Sequence, residues 1–204
     1  MQPPAIAPCC TCTASPAGAS STTTCAASSG PGTPPTTSPE TWCPSLDLVA
    51  RIDYIDDPDA PPANSVVPSV VAAVEDDSGR LLLIHKVDND LWALPGGGHD
   101  VGESISDTVV REVKEETGYD VEVTGIVGTY TNPRHVMAYD DGEVRQQFSI
   151  AFTARLIGGE ARTSSESKEV RWVEPADLAP LPMHPSMRQR VEHHLQRRRE
   201  PFIG

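Results

Sequence analysis

Three glutamates are the residues of this chain whose types and spacing most clearly predict chemistry. Glu115 and Glu116 follow Glu112 by three and four positions. Residues at these spacings share one face of an α-helix. Three carboxylates held together repel one another, and burying them without a positive partner is costly. Oxygen ligands of this kind suit Mg²⁺ or Mn²⁺. The spacing therefore predicts a divalent-cation site on one helical face.

The glutamates close a longer pattern that runs from Gly97 to Tyr119. It reads G-x5-E-x7-R-E-V-x-E-E-x-G-Y, and two more glycines flank its first position. The fixed positions are Gly97, Glu103, Arg111, Glu112, Glu115, Glu116 and Gly118. This set resembles the signature of the Nudix hydrolase family, whose members hydrolyse a nucleoside diphosphate linked to another moiety.

The resemblance implies a cofactor, Mg²⁺ or Mn²⁺, and a role for each motif residue. It implies metal ligands at Glu115 and Glu116, and a ligand or the base that activates water at Glu112. Metal-activated water would then attack phosphorus, because bound cations lower the pKa of water and neutralise phosphate charge. The carbonyl oxygen of Gly96 is a further candidate ligand, since glycine lets a loop approach closely. Arg111 is expected to orient the carboxylates.

An ordinary solvated helical face is the alternative interpretation of the glutamate triplet. In that case Lys114 or Arg111 would simply pair with glutamates one turn away. The glycines, Glu103 and Arg111 in register with the triplet disfavour this interpretation.

One more carboxylate is expected from the segment before the Arg171–Trp172 dipeptide. Members of the resembled family often take a metal ligand or general base from this loop. Glu166 fits the usual offset from the tryptophan better than Glu169 does. The alternative is that both glutamates simply face water.

The substrate is expected to meet the loop that follows the motif, where Arg134, His135 and Arg145 are the candidates. Arginine holds phosphate through paired hydrogen bonds. His135 could act as an acid or base, although a lone loop histidine is more often solvated. Pro133 lies near the place where a family proline accompanies ADP-ribose cleavage, so the resemblance favours ADP-ribose or another nucleotide sugar.

Two other functions stay open at this stage. One is a clean-up pyrophosphatase that acts on oxidised or non-standard (deoxy)nucleoside triphosphates. The other is a nucleotide-sensing module without catalysis, which is disfavoured because such modules generally lose motif glutamates and this chain keeps them.

Composition divides the 204 residues into two parts. Residues 1–39 contain no charged side chain and are rich in Ala, Ser, Thr, Pro and Gly, so they have little to bury. We therefore expect a disordered low-complexity tail at 1–44 and a Nudix hydrolase domain at 45–204, with its core at about 64–180. All five cysteines precede residue 44; their spacing does not match the paired spacing of a zinc site.

The formal net charge of −13 indicates that nucleic-acid polymers are not partners, because an acidic protein repels them. The expected partner is a small nucleotide derivative. No apolar run is long enough to span a membrane and no secretory signal is recognisable, so a cytoplasmic location is expected. The resemblance also implies a homodimer.

The elements that must position these residues follow from local patterns. Val-rich and Leu-rich runs at 66–75 and 80–87 predict a hairpin, and the motif predicts a helix from a capping box at Ser104 to a left-handed stop at Gly118. The remaining expectations are a short strand at 92–95, a strand pair at 121–130 broken near Gly125, a loop at 132–142, strands at 147–156 and 169–173, and a helix at 185–199. Together they predict an α/β sandwich. The resemblance implies that this is the Nudix-type fold, an α/β/α sandwich with a mixed sheet between helices.

Overall fold

The structure is a computed structural model that describes residues 51–204. The predicted tail at 1–44 and all five cysteines lie outside the described residues. None of the helices within 51–204 is both long and apolar enough to cross a membrane.

Ten strands, two α-helices and one short 3₁₀ helix make up the described part of the chain. In chain order they are β1 (Arg51–Ile55), β2 (Ser69–Glu75), β3 (Leu81–Lys86), β4 (Trp92–Ala93), α1 (Ile105–Thr117), β5 (Tyr119–Tyr130), β6 (His135–Tyr139), β7 (Val144–Gln146), β8 (Ser149–Gly159), β9 (Ser167–Val173), the 3₁₀ helix (Pro175–Asp177), α2 (Pro185–Leu195) and β10 (Phe202–Ile203).

The larger sheet has seven strands in the order β10-β5-β8-β2-β3-β4, with β9 paired to β3. Strands β2 and β8 are parallel, whereas β5 and β8 are antiparallel. A second sheet joins β1, β6 and β7. The predicted mixed sheet is therefore confirmed.

The two helices cover opposite faces of the larger sheet. Along β3, Leu81 and Leu83 belong to the same core cluster as Val191 of α2, while Leu82 packs in the cluster that contains Val109 of α1. Because successive side chains of a strand point to opposite faces, α1 and α2 lie on different sides. This confirms the predicted α/β/α sandwich.

The predicted hairpin of β2 and β3 exists only at its turn. The two strands pair at Glu75 and Leu81, and β3 pairs with β9 along its whole length. Beyond the turn, β2 instead bonds to the loop after β4: Ala72 N–H donates to Pro95 O and Val70 N–H donates to Gly97 O, both at 2.9 Å. The strands diverge and the glycine loop fills the gap between them.

Several predicted boundaries are wrong, each for a physical reason. Instead of a strand pair, β5 is one strand whose register shifts between Val123 and Gly125, because a β-bulge absorbs the irregularity without ending the strand. The predicted loop at 132–142 contains β6, which pairs with β1, a partner 80 or more positions away that local patterns cannot reveal. The last helix ends at Leu195, and β10 follows it.

Helix α1 begins and ends as predicted. Ser104 Oγ accepts from Asp107 N–H at 3.3 Å, and Ser104 N–H donates to the Asp107 carboxylate at 3.2 Å, which completes the capping box. Gly118 has φ +78°, and its N–H donates to Lys114 O. A β-carbon at Gly118 would lie 2.3 Å from the carbonyl oxygen of Glu160, so glycine is required here both for conformation and for space.

Replacing the helix cap tests how much this local geometry stabilises the domain. Ser104→Ala is expected to lower the free energy of unfolding by about 1 kcal/mol, because the N–H of Asp107 loses its acceptor. Urea denaturation followed by circular dichroism measures the change. Ser104→Thr, which keeps a hydroxyl acceptor, should stay close to the wild type; equal losses in both variants would contradict the assignment.

Candidate active site

The glycine loop after β4 reaches the carboxylate helix because it runs along β2. Gly96 has φ +151°, and a β-carbon there would lie 2.2 Å from the carbonyl oxygen of Val70. Only glycine fits so close to a backbone. The N–H of Gly96 then donates to Glu116 Oε2 at 2.7 Å. The loop and the last turn of α1 are joined directly.

A second contact of the same loop involves Glu112. A β-carbon at Gly97 would lie 2.5 Å from Glu112 Oε1, so this carboxylate rests against the loop backbone. Glu116 is buried and the side chain of Glu112 is only 14% exposed, whereas that of Glu115 is 61% exposed. The helix thus presents two sheltered carboxylates and one that faces solvent.

The sheltered carboxylates carry more negative charge than their surroundings neutralise. Burial raises the pKa of Glu116 to about 7, with the Gly96 N–H and Lys86 opposing the rise and Glu112 and Glu166 adding to it. Burial also raises the pKa of Glu112, opposed by Arg111. A cluster of oxygen donors with unbalanced negative charge fits a hard divalent cation.

Arg111 holds the carboxylates of the motif in place. Its Nε and Nη2 donate to the two oxygens of Glu103 at 2.6 and 3.0 Å, and its Nη1 donates to Glu112 at 2.8 Å and to Glu115 at 3.3 Å. A further bond from Nη2 reaches the carbonyl oxygen of Gly98 at 3.2 Å. The hydrogen bonds from Arg111 lower the pKa of Glu103 to about 2. One guanidinium therefore ties loop, helix start and helix face together.

The segment before β9 brings another carboxylate to this group. Ser167 Oγ donates to the carbonyl oxygen of Glu116 at 3.1 Å, and Glu166 is close enough to raise the pKa of both Glu112 and Glu116. Glu169 instead accepts from Arg171 Nε at 2.8 Å. Of the two glutamates considered from the sequence, Glu166 is the one beside the motif.

A cavity of about 270 Å³ extends from the glycine loop to the start of α2. The wall of the cavity has both positively and negatively charged side chains. Its polar residues include Lys86, His135, Arg145, Glu166, His184 and Arg190. Substrate-sized space therefore adjoins the loop that contacts the carboxylates.

The three substrate candidates from the sequence do not stay together. His135 and Arg145 line the cavity. The side chain of Arg134 is 76% exposed and pairs with Asp56 at 2.6 Å, in a separate surface groove that Pro133 also lines.

His135 is buried, contrary to the solvated histidine considered from the sequence. Its Nε2 is 3.1 Å from Asp53 Oδ1, and the side-chain amide of Gln147 lies 2.7 Å from its Nδ1. With the amide donating, Nε2 carries the ring proton and donates to Asp53. Both ring nitrogens are engaged, so this arrangement makes His135 a fixed wall residue and leaves no free nitrogen for acid–base work.

Asp53, His135 and His184 form a second cluster with ligand atoms within 4.8 Å of one another. Arg51 donates to both oxygens of Asp53 at 2.8 Å. Although burial works to raise the pKa of Asp53, the bonds from His135 and Arg51 hold it well below its ordinary value. These bonds already neutralise the carboxylate, which favours an ion-pair network over a cation site.

Sequence reasoning overlooked Lys86, His184 and Arg190. Arg190 is buried on α2 beside Val191. Its position three residues after Met187 and next to Val191 was the signal that could have found it.

Comparison with known proteins identifies the family. The NUDIX domain profile matches residues 66–194, more than half of the chain. A MutT-like protein from Streptomyces ambofaciens is 39% identical over 120 residues, which are 59% of this chain and 70% of the relative. A Bacillus subtilis (strain 168) protein, whose name gives 8-oxo-dGTP diphosphatase as a provisional activity, is 34% identical over 119 residues, 58% of this chain and 72% of its own.

A solved structure agrees with these sequence matches. The crystal structure of an ADP-ribose pyrophosphatase from Streptococcus suis 89-1591 has a TM-score of 0.52 and 28% identity, covering 68% of this chain and 98% of that one. The motif, the sandwich fold and the family match point to one conclusion. The chain belongs to the NUDIX domain family and is a Nudix hydrolase.

Proposed function

We propose that this protein is a divalent-metal-dependent hydrolase that cleaves the pyrophosphate bond of a nucleoside diphosphate linked to another moiety. The observation that carries the proposal is the junction of the glycine loop with α1. There Gly96 N–H bonds to Glu116 at 2.7 Å, and Glu112 rests against Gly97. The junction gathers carboxylates with uncompensated charge beside a cavity.

In this proposal Mg²⁺ or Mn²⁺ is held by Glu112, Glu115 and Glu116, with the Gly96 carbonyl and Glu166 as further ligands. Divalent-metal use is general in the family. When bound, the cation supplies water of lowered pKa and neutralises phosphate charge.

The protein's own residues have distinct tasks in the reaction. Arg111 keeps Glu112 and Glu115 oriented through the bonds described above. Either Glu112 or Glu166 accepts the proton of the attacking water. The water oxygen forms a bond to phosphorus as the anhydride P–O bond breaks, and the products are a nucleoside monophosphate and the phosphorylated second moiety. Lys86 lines the cavity near Glu116 and is suited to face a phosphate oxygen.

Two substrate classes are supported to the same degree. ADP-ribose or another nucleotide sugar is supported by the name of the Streptococcus suis structure. Oxidised or non-standard (deoxy)nucleoside triphosphates are supported by the name of the Bacillus subtilis relative.

We also propose that the hydrolase domain spans 45–204 and works in the cytoplasm as a homodimer. Sedimentation equilibrium would test the dimer.

A substrate panel with and without metal tests the activity. We expect release of nucleoside monophosphate from ADP-ribose, other nucleotide sugars, or canonical or oxidised nucleoside triphosphates in Mg²⁺, and a loss of at least about 100-fold in EDTA. Chromatography of the products measures both the rate and the bond broken. Tight nucleotide binding without cleavage of any panel member would instead support the sensing module.

A further inference from the structure

Arg190 is a buried cation to which the reaction assigns no task. It lies on α2 with 5% of its surface exposed. Its Nη1 donates to Ser186 Oγ at 3.2 Å, its guanidinium carbon is 4.9 Å from the centre of the Tyr130 ring, and its buried Nε has no hydrogen-bond partner within 51–204. Most of the donor capacity of this guanidinium is unused in the described part of the chain.

The charge of Arg190 is also unpaired. Within residues 51–204 it forms no ion pair, whereas Arg51 pairs with Asp53 and Arg145 with Glu143. Burial lowers the pKa of Arg190 to about 10, with Arg51 adding to the decrease, so the side chain is still charged at neutral pH. Burying a cation without a partner is costly, and an anion from solution would offset that cost.

The groups around Arg190 favour the binding of an anion in this part of the cavity. It lines the cavity together with His184, Ser186 and Arg145, and Arg145 also has a buried Nε without a partner within 51–204. His184 directly precedes α2 and Ser186 lies in its first turn. No side chain within 51–204 caps the start of this 11-residue helix, and the start of a helix attracts negative charge.

The cavity wall therefore carries groups of opposite charge. It includes the glycine loop and Glu166, next to the proposed cation site, and also Arg190, Arg145 and the start of α2. A substrate with an anionic group besides its pyrophosphate matches this set of groups. Its pyrophosphate would lie at the glycine loop and a second anion at Arg190.

We propose that Arg190, with Arg145 and the start of α2, binds a phosphate or carboxylate that the substrate carries in addition to the scissile pyrophosphate. The inference rests on the proposed hydrolase function, whose substrate class it narrows to nucleotide derivatives with an additional anionic group. Arg190 is a specificity-determining residue in this scheme.

Direct binding of inorganic phosphate tests the subsite independently of activity. Phosphate is titrated by calorimetry into the full-length protein in EDTA, so that cations play no part. Arg190→Met is expected to weaken phosphate binding by about 10- to 100-fold, the contribution of one or two charge-assisted hydrogen bonds. Arg199→Met, which removes the same charge from an exposed position, is the matched control and should bind as the wild type does.

A kinetic comparison locates the anion on the substrate. The wild type is expected to cleave ADP-ribose that carries a phosphate on its terminal ribose with a higher kcat/KM than ADP-ribose itself. Arg190→Met should remove this preference by raising KM for the phosphorylated compound, with kcat largely kept. Arg190→Gln, which can still bond to Ser186, serves as a second variant, and thermal denaturation confirms that each variant is folded.

The outcomes separate this inference from the proposed function. Unchanged phosphate binding in folded Arg190→Met or Arg190→Gln overturns the subsite, as does an equal loss of kcat/KM for both substrates, which would indicate a packing role against Tyr130 or a contact to the base. Cleavage of neither compound, with phosphate binding that still depends on Arg190, would overturn the hydrolase proposal for this substrate class and keep the subsite.

Discussion

Glu116→Gln is expected to lower kcat on the order of 1,000-fold and to leave the fold intact. Glutamine has the same shape, and its carbonyl oxygen can still accept the N–H of Gly96, which now bonds to Glu116 at 2.7 Å. What the variant loses is the negative charge that the proposed cation requires. Activity and Mg²⁺ affinity should therefore fall together while the secondary structure is unchanged.

The pKa of Glu116 predicts the direction in which this substitution changes stability in EDTA. The pKa of Glu116 is about 7 in the folded protein against an ordinary value of 4.5, so the folded state binds the proton more tightly than the unfolded state does. The free energy of unfolding consequently decreases as pH rises from about 4.5 through 7, and the ionised side chain opposes folding above that range. At pH 8 without metal, Glu116→Gln should melt at the same temperature as the wild type or higher.

Three measurements check the prediction: turnover in Mg²⁺, calorimetric titration with Mg²⁺, and thermal denaturation in EDTA. The matched control is Glu160→Gln, which removes the same charge from an exposed side chain and should alter none of the three. Turnover close to that of the wild type in Glu116→Gln would remove this residue from the proposed cation site.

Alanine substitutions in the glycine loop are expected to have three different outcomes. Gly96→Ala should destabilise the domain by about 3 kcal/mol or more, because the new β-carbon would lie 2.2 Å from the backbone oxygen of Val70 at a φ of +151°. Neither strand nor loop can yield without breaking the bonds from Val70 and Ala72 that hold the loop to β2. Gly96→Ala is therefore expected to lose stability and activity together.

Gly97→Ala is expected to lose activity with a smaller effect on stability. The three atoms nearest its β-carbon would all belong to the carboxylate of Glu112, the closest at 2.5 Å, and a side chain can rotate where a backbone cannot. Displacing Glu112 should reduce kcat by about tenfold or more, since misplaced catalytic groups are costly.

Gly98→Ala provides the control within the same loop. No atom of the described residues outside the adjacent positions lies within 4 Å of a β-carbon here, so stability and turnover should stay near those of the wild type. Urea denaturation and turnover of the three variants measure both effects. Equal behaviour of Gly96→Ala and Gly98→Ala would contradict the close packing of the loop on β2.

The helix and its carboxylates were predictable from the sequence because the signals are local. Ser104 and Gly118 mark the ends of α1, and the spacing of the glutamates places them on one face whatever surrounds the helix. The strand β6 was not predictable, because its partner β1 is 80 or more positions away. Polar residues such as His135 acquire their burial only through such pairing.

Residues of the same type also differ in role because of contacts with distant parts of the chain. The offset from Trp172 favoured Glu166 over Glu169, and the structure supplies the reason: Glu166 acts on Glu116, whereas Glu169 pairs with Arg171. Likewise, Arg134 and Arg145 were equal candidates from the sequence. Arg134 lies in the turn before β6 and pairs with Asp56 in a surface groove, whereas Arg145 lies on β7, pairs with Glu143 and lines the cavity.

By itself, the sequence determined the family, the α/β/α architecture and the carboxylate face of α1, since helix periodicity, capping and a seven-position motif are properties of neighbouring residues. The tertiary structure decided how the glycine loop bonds to β2, which residues shelter Glu116, and that Arg190 is buried in the cavity wall with no ion pair to any residue of 51–204. These features arise from contacts between residues that are far apart in the chain. Burial and charge balance are set by all the elements that surround a group, and local patterns contain only part of that information.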